Sequence, residues 1–111
     1  MYVPEPHLLL PGTVSRFEAL VVALEQANGP VTRAEASALN IAARNINFCT
    51  ACDLPAEQWA LVDHAINLSL RAAQCIRDRG GTEPKVLTVA DHLASRCYSF
   101  AASLSAAQHP A

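Results

Sequence analysis

The chain has 111 residues, of which 51% are hydrophobic and 16% are charged, and its formal net charge is −2 at pH 7. We expect one domain, because this length supports a single cooperative core. The weakly acidic balance argues against the strong positive field that general nucleic-acid and anionic-membrane binders use. Roughly a fifth of the residues are alanine, the best helix former, so the composition predicts packed α-helices.

Residues 1–12 contain three prolines and one glycine. These residue types favour extended or turn geometry, so we expect an extended N-terminal arm here. The arm has no positively charged segment and only a short leucine run, which predicts neither a signal peptide nor a membrane anchor. We therefore expect a cytoplasmic protein with a helical domain over residues 13–106 and a flexible tail over residues 107–111.

Two helices are predicted in the first half of the chain. Ser15-Arg16-Phe17-Glu18 has the form of a capping box, and apolar residues at helical spacing follow it until Asn28-Gly29-Pro30. Helix one is thus expected at about 15–28. Thr32-Arg33-Ala34-Glu35 repeats the capping signature and opens a second, short helix. The polar face of that helix consists of Ser37, Asn40, Arg44 and Asn47.

Two further helices are predicted in the second half. Asp53-Leu54-Pro55 combines a cap with a proline suited to a first turn, and no breaker follows before Arg79-Gly80-Gly81. Helix three should be a rod of roughly 25 residues and nearly 40 Å. After a loop over 80–87, Thr88-Val89-Ala90-Asp91 caps helix four. Its polar row consists of His92, Ser95, Ser99 and Ser103. The sequence therefore predicts an all-α four-helix bundle with up-and-down connectivity.

The Cys49-Thr50-Ala51-Cys52 motif is the sharpest chemical signal, because two thiols at this spacing can share a metal ion or form a redox disulfide. A structural zinc site needs two more ligands. An unbroken third helix would place His64 roughly 18 Å and Cys75 roughly 34 Å from Cys52. We therefore expect no bound metal and treat Cys49 and Cys52 as small apolar residues in a helix connection. Metal binding or thiol redox chemistry at this pair stays as an alternative.

A helix-turn-helix that binds DNA is a second alternative. Asn28-Gly29-Pro30-Val31 is a tight turn between two short predicted helices. The second of these helices presents residue types that contact base edges, namely Asn40, Arg44 and Asn47. The acidic balance of the chain weakens this interpretation, because phosphate contacts supply much of the affinity for DNA. Nucleic acid is therefore not the expected partner.

No G-x-S-x-G turn, Gly-rich phosphate loop or HExxH motif occurs in the sequence, so we expect no enzymatic activity, no cofactor and no small-molecule substrate. The apolar rows of the long third helix exceed what two shorter helices are expected to cover, and uncovered apolar patches usually mark interfaces. The sequence therefore predicts an interaction module that pairs with a second copy or with another protein. The predicted homodimer interface contains Trp59, Val62 and Ile66.

Overall fold

The computed structural model describes residues 6–50, 54–79 and 83–109. Within these ranges the chain forms four α-helices and no strand, which confirms the predicted all-α four-helix bundle. Short 3-10 helices at Pro6–Leu9 and Ala56–Gln58 precede the first and third α-helices. None of the described helices has the length and hydrophobicity that a membrane span requires. The α-helices are α1 (Leu10–Gln26), α2 (Arg33–Cys49), α3 (Trp59–Arg79) and α4 (Pro84–Gln108).

The first helix starts at Leu10 rather than at the predicted cap, Ser15. Pro11 is compatible with this start, because the first turn of a helix needs no N–H from that residue. The Leu10 side chain is completely buried, so core packing favours the earlier start. Residues 6–12, which were assigned to the extended arm, are therefore helical, whereas residues 1–5 lie outside the described part of the chain.

The predicted capping box of α2 is confirmed. The Glu35 backbone N–H donates to Thr32 Oγ1 over 3.1 Å, and the Thr32 N–H donates to the Glu35 carboxylate over 3.0 Å. The helix then continues to Cys49, so it has 17 residues and equals α1 in length. The prediction of a short second helix was wrong, because no breaker follows Asn47 in the last turn.

The third helix ends at Arg79 as predicted but begins only at Trp59, after a 3-10 turn. The indole Nε1–H of Trp59 donates to the Leu54 carbonyl over 3.2 Å and secures this entrance. The predicted cap, Asp53, lies outside the described residues. With 21 residues α3 spans about 32 Å rather than nearly 40 Å.

The fourth helix begins at Pro84, one turn before the predicted cap at Thr88. Pro84 occupies the first turn, and Thr88 Oγ1 donates to the Pro84 carbonyl over 2.7 Å inside the helix. The helix continues to Gln108, into the segment predicted to be a flexible tail. Its 25 residues span about 38 Å, so α4 is longer than α3. α3 is longer than α1, as expected, but it does not extend beyond α4.

The four helices form a ring in which α2 and α3 occupy diagonal positions. α1 packs against α2 and α3, and α4 packs against α3 and α2, whereas α2 and α3 contact each other only slightly. Each hairpin, α1–α2 and α3–α4, is antiparallel, because Thr13 near the start of α1 lies against Cys49 at the end of α2, and Arg77 near the end of α3 pairs with Asp91 near the start of α4. Arg33 at the start of α2 pairs with Glu83 immediately before α4, so these two helices run parallel. A simple up-and-down ring would instead place α2 beside α3.

Side-chain contacts between α1 and α3 show that these helices also run parallel. Glu18 on α1 lies 3.3 Å from the His64 imidazole on α3, and one heptad later on both helices Glu25 pairs with Arg71. The hydrogen bond from the Arg71 guanidinium lowers the pKa of the Glu25 carboxyl. The shortest dimension of the molecule, 21 Å, corresponds to two helix diameters. The bundle therefore consists of two hairpins lying side by side.

The core is aliphatic and rich in alanine. Buried alanines on α2 and α3 allow neighbouring helices to approach closely, and two phenylalanines provide the largest buried side chains. The largest fully buried residues of the four helices are Leu10, Phe17, Val21, Leu24, Leu39, Ile46, Val62, Leu68, Ile76, Val86, Leu93 and Phe100. Since every helix contributes to this set, the core unites the two hairpins into one domain.

Arg79 joins the carboxyl end of α3 to the turn between α1 and α2. Its guanidinium donates to the carbonyls of Leu24 and Gly29, the latter over 2.9 Å from Nε. The Arg79 carbonyl accepts the N–H of Val31 over 3.3 Å. Gly29 has φ +84°, a conformation that glycine adopts without strain. We call this set of contacts the Arg79 joint; it supplies partners to carbonyls near a helix end.

The first prediction concerns the Arg79 joint. We expect Arg79→Ala to lower the free energy of unfolding by about 1 to 3 kcal/mol, because two carbonyls lose a charged donor. Arg77→Ala is the matched control, since it removes only an exposed ion pair with Asp91 and should cost less than about 1 kcal/mol. Urea unfolding followed by circular dichroism measures both values. Equal losses of unfolding free energy in the two variants would show that the Arg79 joint contributes no more to stability than an exposed ion pair.

A second prediction compares two glycines. A Cβ added at Gly12 or Gly29 has no atom within 4 Å, so the backbone conformation alone decides whether replacement by alanine raises or lowers stability. Gly29→Ala should lower stability by about 1 to 2 kcal/mol, because the left-handed conformation strains an alanine. Gly12→Ala should raise stability by about 0.5 to 1 kcal/mol, because Gly12 lies in α1. Thermal unfolding of the two variants shows whether their stabilities change in opposite directions. A loss of stability in both variants would contradict the prediction.

Candidate functional site

The predicted interface residues on α3 lie mostly inside the monomer. Val62 is 0% exposed, and Trp59 and Ile66 are half-buried side chains packed against the core. The Ile66 carbonyl accepts a hydrogen bond from the Cys97 thiol over 3.6 Å. Because α1 and α4 cover the apolar arc of α3, Val62 has no surface to offer a partner. Of the three predicted interface residues, Trp59 and Ile66 keep an accessible part, whereas Val62 does not.

The CxxC motif is only partly described. Cys49 is 2% exposed, and its Sγ lies 3.9 Å from Thr13 Oγ1 at the interface of α2 with α1. Cys52 lies outside the described residues. Over residues 6–50, 54–79 and 83–109, no three His, Cys, Asp or Glu side chains gather as a metal site. Cys49 therefore packs as a small apolar side chain.

The other two cysteines occupy different environments. Cys97 lies between α4 and α3, where its thiol donates to the Leu93 carbonyl over 3.5 Å. Burial raises the pKa of the Cys97 thiol, which keeps it protonated. Cys75 is half-buried in a groove between α1 and α3, with its Sγ 3.9 Å from the Arg79 guanidinium. Cys75 is thus the more accessible of these two thiols.

A polar groove of about 310 Å³ lies between α2 and α4. The sequence predicted the polar rows of these two helices separately, and the parallel packing of α2 and α4 brings them together. Of the predicted α2 polar face, Asn40 and Arg44 line the groove, whereas Ser37 is exposed elsewhere and Asn47 is half-buried. Sequence reasoning missed Arg96. The groove is lined by Asn40, Arg44, His92, Ser95, Arg96 and Ser99.

The α2–α4 groove has more hydrogen-bond donors than acceptors. Arg44 and Arg96 form no ion pair with any described residue, and the described side chains that line the groove include no carboxylate. Other arginines are engaged, as Arg71 is with Glu25. The buried Oδ1 atom of Asn40 has no hydrogen-bond partner within the described chain. A concentration of positive charge therefore lies on one side of a weakly acidic protein.

The side of α2 that points away from the core carries two large apolar residues. Ile41 is 52% exposed and Phe48 is 63% exposed, and the two are seven residues apart on one face of the helix. We call this surface the α2 outer face. Leu8 and Leu9, in the 3-10 helix that packs against α2, are also about half exposed. The heptad spacing of Ile41 and Phe48 is visible in the sequence, but the interface was predicted on helix three instead.

A third prediction concerns thiol reactivity. In the native protein iodoacetamide should modify Cys75 before Cys49 and Cys97, because Cys75 is the one partly accessible thiol of these three and burial raises the pKa of the Cys97 thiol. Peptide mass spectrometry at successive times gives the order. In urea the three rates should become similar, which controls for intrinsic reactivity. Equally fast modification of Cys97 and Cys75 in the native protein would contradict the described packing.

Comparison with protein-family models, with curated proteins and with solved structures finds no match for this chain. A four-helix bundle supports many unrelated functions, so the fold alone assigns none. Two features of the described surface, the α2–α4 groove and the α2 outer face, combine several residues of one chemical character. Function is therefore inferred from the chemistry of these two surfaces.

Proposed function

We propose that this chain is a non-enzymatic, cytoplasmic interaction module that forms a homodimer through the α2 outer face. The observation that carries the proposal is the exposure of Ile41 and Phe48 one heptad apart on one helix. Paired helices use apolar side chains at this spacing to pack against each other. Exposed apolar surface of this kind marks interaction sites more often than catalytic ones.

A second copy is the partner that this geometry favours. An antiparallel pairing of two α2 helices about a twofold axis brings Ile41 of each copy to Phe48 of the other. Ile41 and Phe48 are each only about half exposed, so burying the exposed parts of the four side chains would contribute roughly 3 to 7 kcal/mol. This gain reaches only the lower part of the association cost of about 4 to 15 kcal/mol. We therefore expect a weak dimer that becomes populated at high micromolar concentration.

The two alternative functions receive less support. A recognition helix must project into the major groove, but α4 lies alongside the part of α2 that carries Asn40 and Arg44. Redox or metal chemistry needs an accessible thiol pair, whereas Cys49 is buried against α1. The described cysteines are free thiols on separate helices, which supports a reducing compartment such as the cytoplasm.

A fourth prediction tests the homodimer. The wild-type protein should show concentration-dependent association in sedimentation velocity at high micromolar concentration, and the double variant Ile41→Ser, Phe48→Ser should sediment as a monomer. Both positions are exposed, so helicity measured by circular dichroism should be unchanged. Leu70→Ser is the matched control, because Leu70 is 51% exposed but lies on α3. It should leave association unchanged.

Two results would defeat the homodimer. One is a wild-type protein that stays monomeric over the whole concentration range. The other is association that survives the double substitution of Ile41 and Phe48, because the contact would then lie elsewhere. Disruption by Leu70→Ser alone would point to the α3 surface instead of the α2 outer face.

A further inference from the structure

We propose that the α2–α4 groove is an anion-binding site for the phosphate group of a small molecule, either free phosphate or a small phosphate monoester. The groove borders the α2 outer face, because Arg44 lies one turn from both Ile41 and Phe48, but all of its lining residues come from a single copy of the chain. It combines two guanidinium groups, an imidazole, two hydroxyls and a carboxamide in one concave surface. All six side chains can donate hydrogen bonds, as an oxyanion requires.

The charge balance of the groove supports an anionic ligand. Arg44 and Arg96 extend into the same groove from parallel helices, and neither has an ion-pair partner among the described residues. Two like charges in one concave surface repel each other, and an anion between them converts this repulsion into attraction. Three other arginines pair with acidic side chains on neighbouring elements, whereas both arginines of the groove lack such a partner among the described residues.

The number and kind of donors favour phosphate over carboxylate. A phosphate monoester carries a charge of about −1.5 to −2 near neutral pH and three acceptor oxygens, which matches two arginines better than a single carboxylate does. Guanidinium groups bind phosphate oxygens in pairs, and serine hydroxyls add neutral donors. A volume of about 310 Å³ lies at the small end of ligand sites, so the groove fits a small phosphorylated molecule.

Three structural steps produce the groove. Asn40 and Arg44 are one turn apart on α2, and His92 and Arg96 are one turn apart on α4, so each pair shares one face of its helix. The parallel alignment of α2 and α4 brings corresponding turns together. Ser95 and Ser99 complete the same stretch of α4. Each helix contributes only one of the two arginines that line the groove.

The test is an NMR titration of the ¹⁵N-labelled full chain with inorganic phosphate and, separately, with glycerol phosphate at constant ionic strength. We expect saturable amide shifts confined to the groove, centred on Arg44 and Arg96. Tighter binding of inorganic phosphate would identify free phosphate as the ligand, and tighter binding of glycerol phosphate would identify an ester. Sodium acetate is the monoanion control and should bind at least roughly tenfold more weakly, as expected from loss of a charge-assisted hydrogen bond.

Substitutions test the same site. Arg44→Gln and Arg96→Gln should each weaken phosphate binding by roughly tenfold, because each removes a charged donor. Arg44→Lys should lose less phosphate affinity than Arg44→Gln, since it keeps the charge although it lacks the paired N–H groups. Arg16→Gln is the matched control, because Arg16 is exposed on α1 and does not line the groove. It should leave the affinity within about twofold, since remote exposed charges are screened by salt.

The proposal fails on any of three outcomes. These are the absence of saturable shifts at tens of millimolar phosphate, equal shifts with acetate, and wild-type affinity in both Arg44→Gln and Arg96→Gln. The titration of the wild-type protein does not depend on whether the variants fold, so a poorly folded variant leaves the test intact. A monomeric protein that binds phosphate would refute the homodimer while supporting this site.

Discussion

The Arg79 joint determines how the two hairpins meet. Because Arg79 binds carbonyls at the end of α1 and in the following turn, the carboxyl ends of α1 and α3 lie together and the two helices run parallel. Each hairpin is antiparallel, so α2 and α4 must also run parallel on the other side of the bundle. The α2–α4 groove is a direct consequence of this arrangement.

Much of the fold could be predicted from local signals. The capping box at Thr32 and the stop after Arg79 were located correctly, because both depend on residues adjacent in sequence. The starts of α1 and α4 were placed too late. Pro11 and Pro84 occupy first turns, where proline is compatible with a helix, although the same residue interrupts one elsewhere.

The candidate sites could be predicted from the sequence less well than the helices. The polar rows of α2 and α4 were recognised, but their pairing depends on Arg79 contacts about 50 residues apart in sequence, for which no local signal exists. Val62 was assigned to an interface because α3 was expected to outreach its neighbours, whereas α4 extends beyond it and covers it. Ile41 and Phe48 could have been found from their heptad spacing.

The groove exists only if α2 lies beside α4 and diagonal to α3. A nitroxide attached at Arg44→Cys, with the native cysteines replaced by alanine, reports which helix lies near α2, because it broadens the amide signals of nearby residues. The structure predicts strong broadening at Ser95 and Ser99 on α4 and little at Asp63 and Asn67, which are exposed on α3. The reverse pattern, with strong broadening on α3 and little on α4, would contradict this helix order and remove the groove.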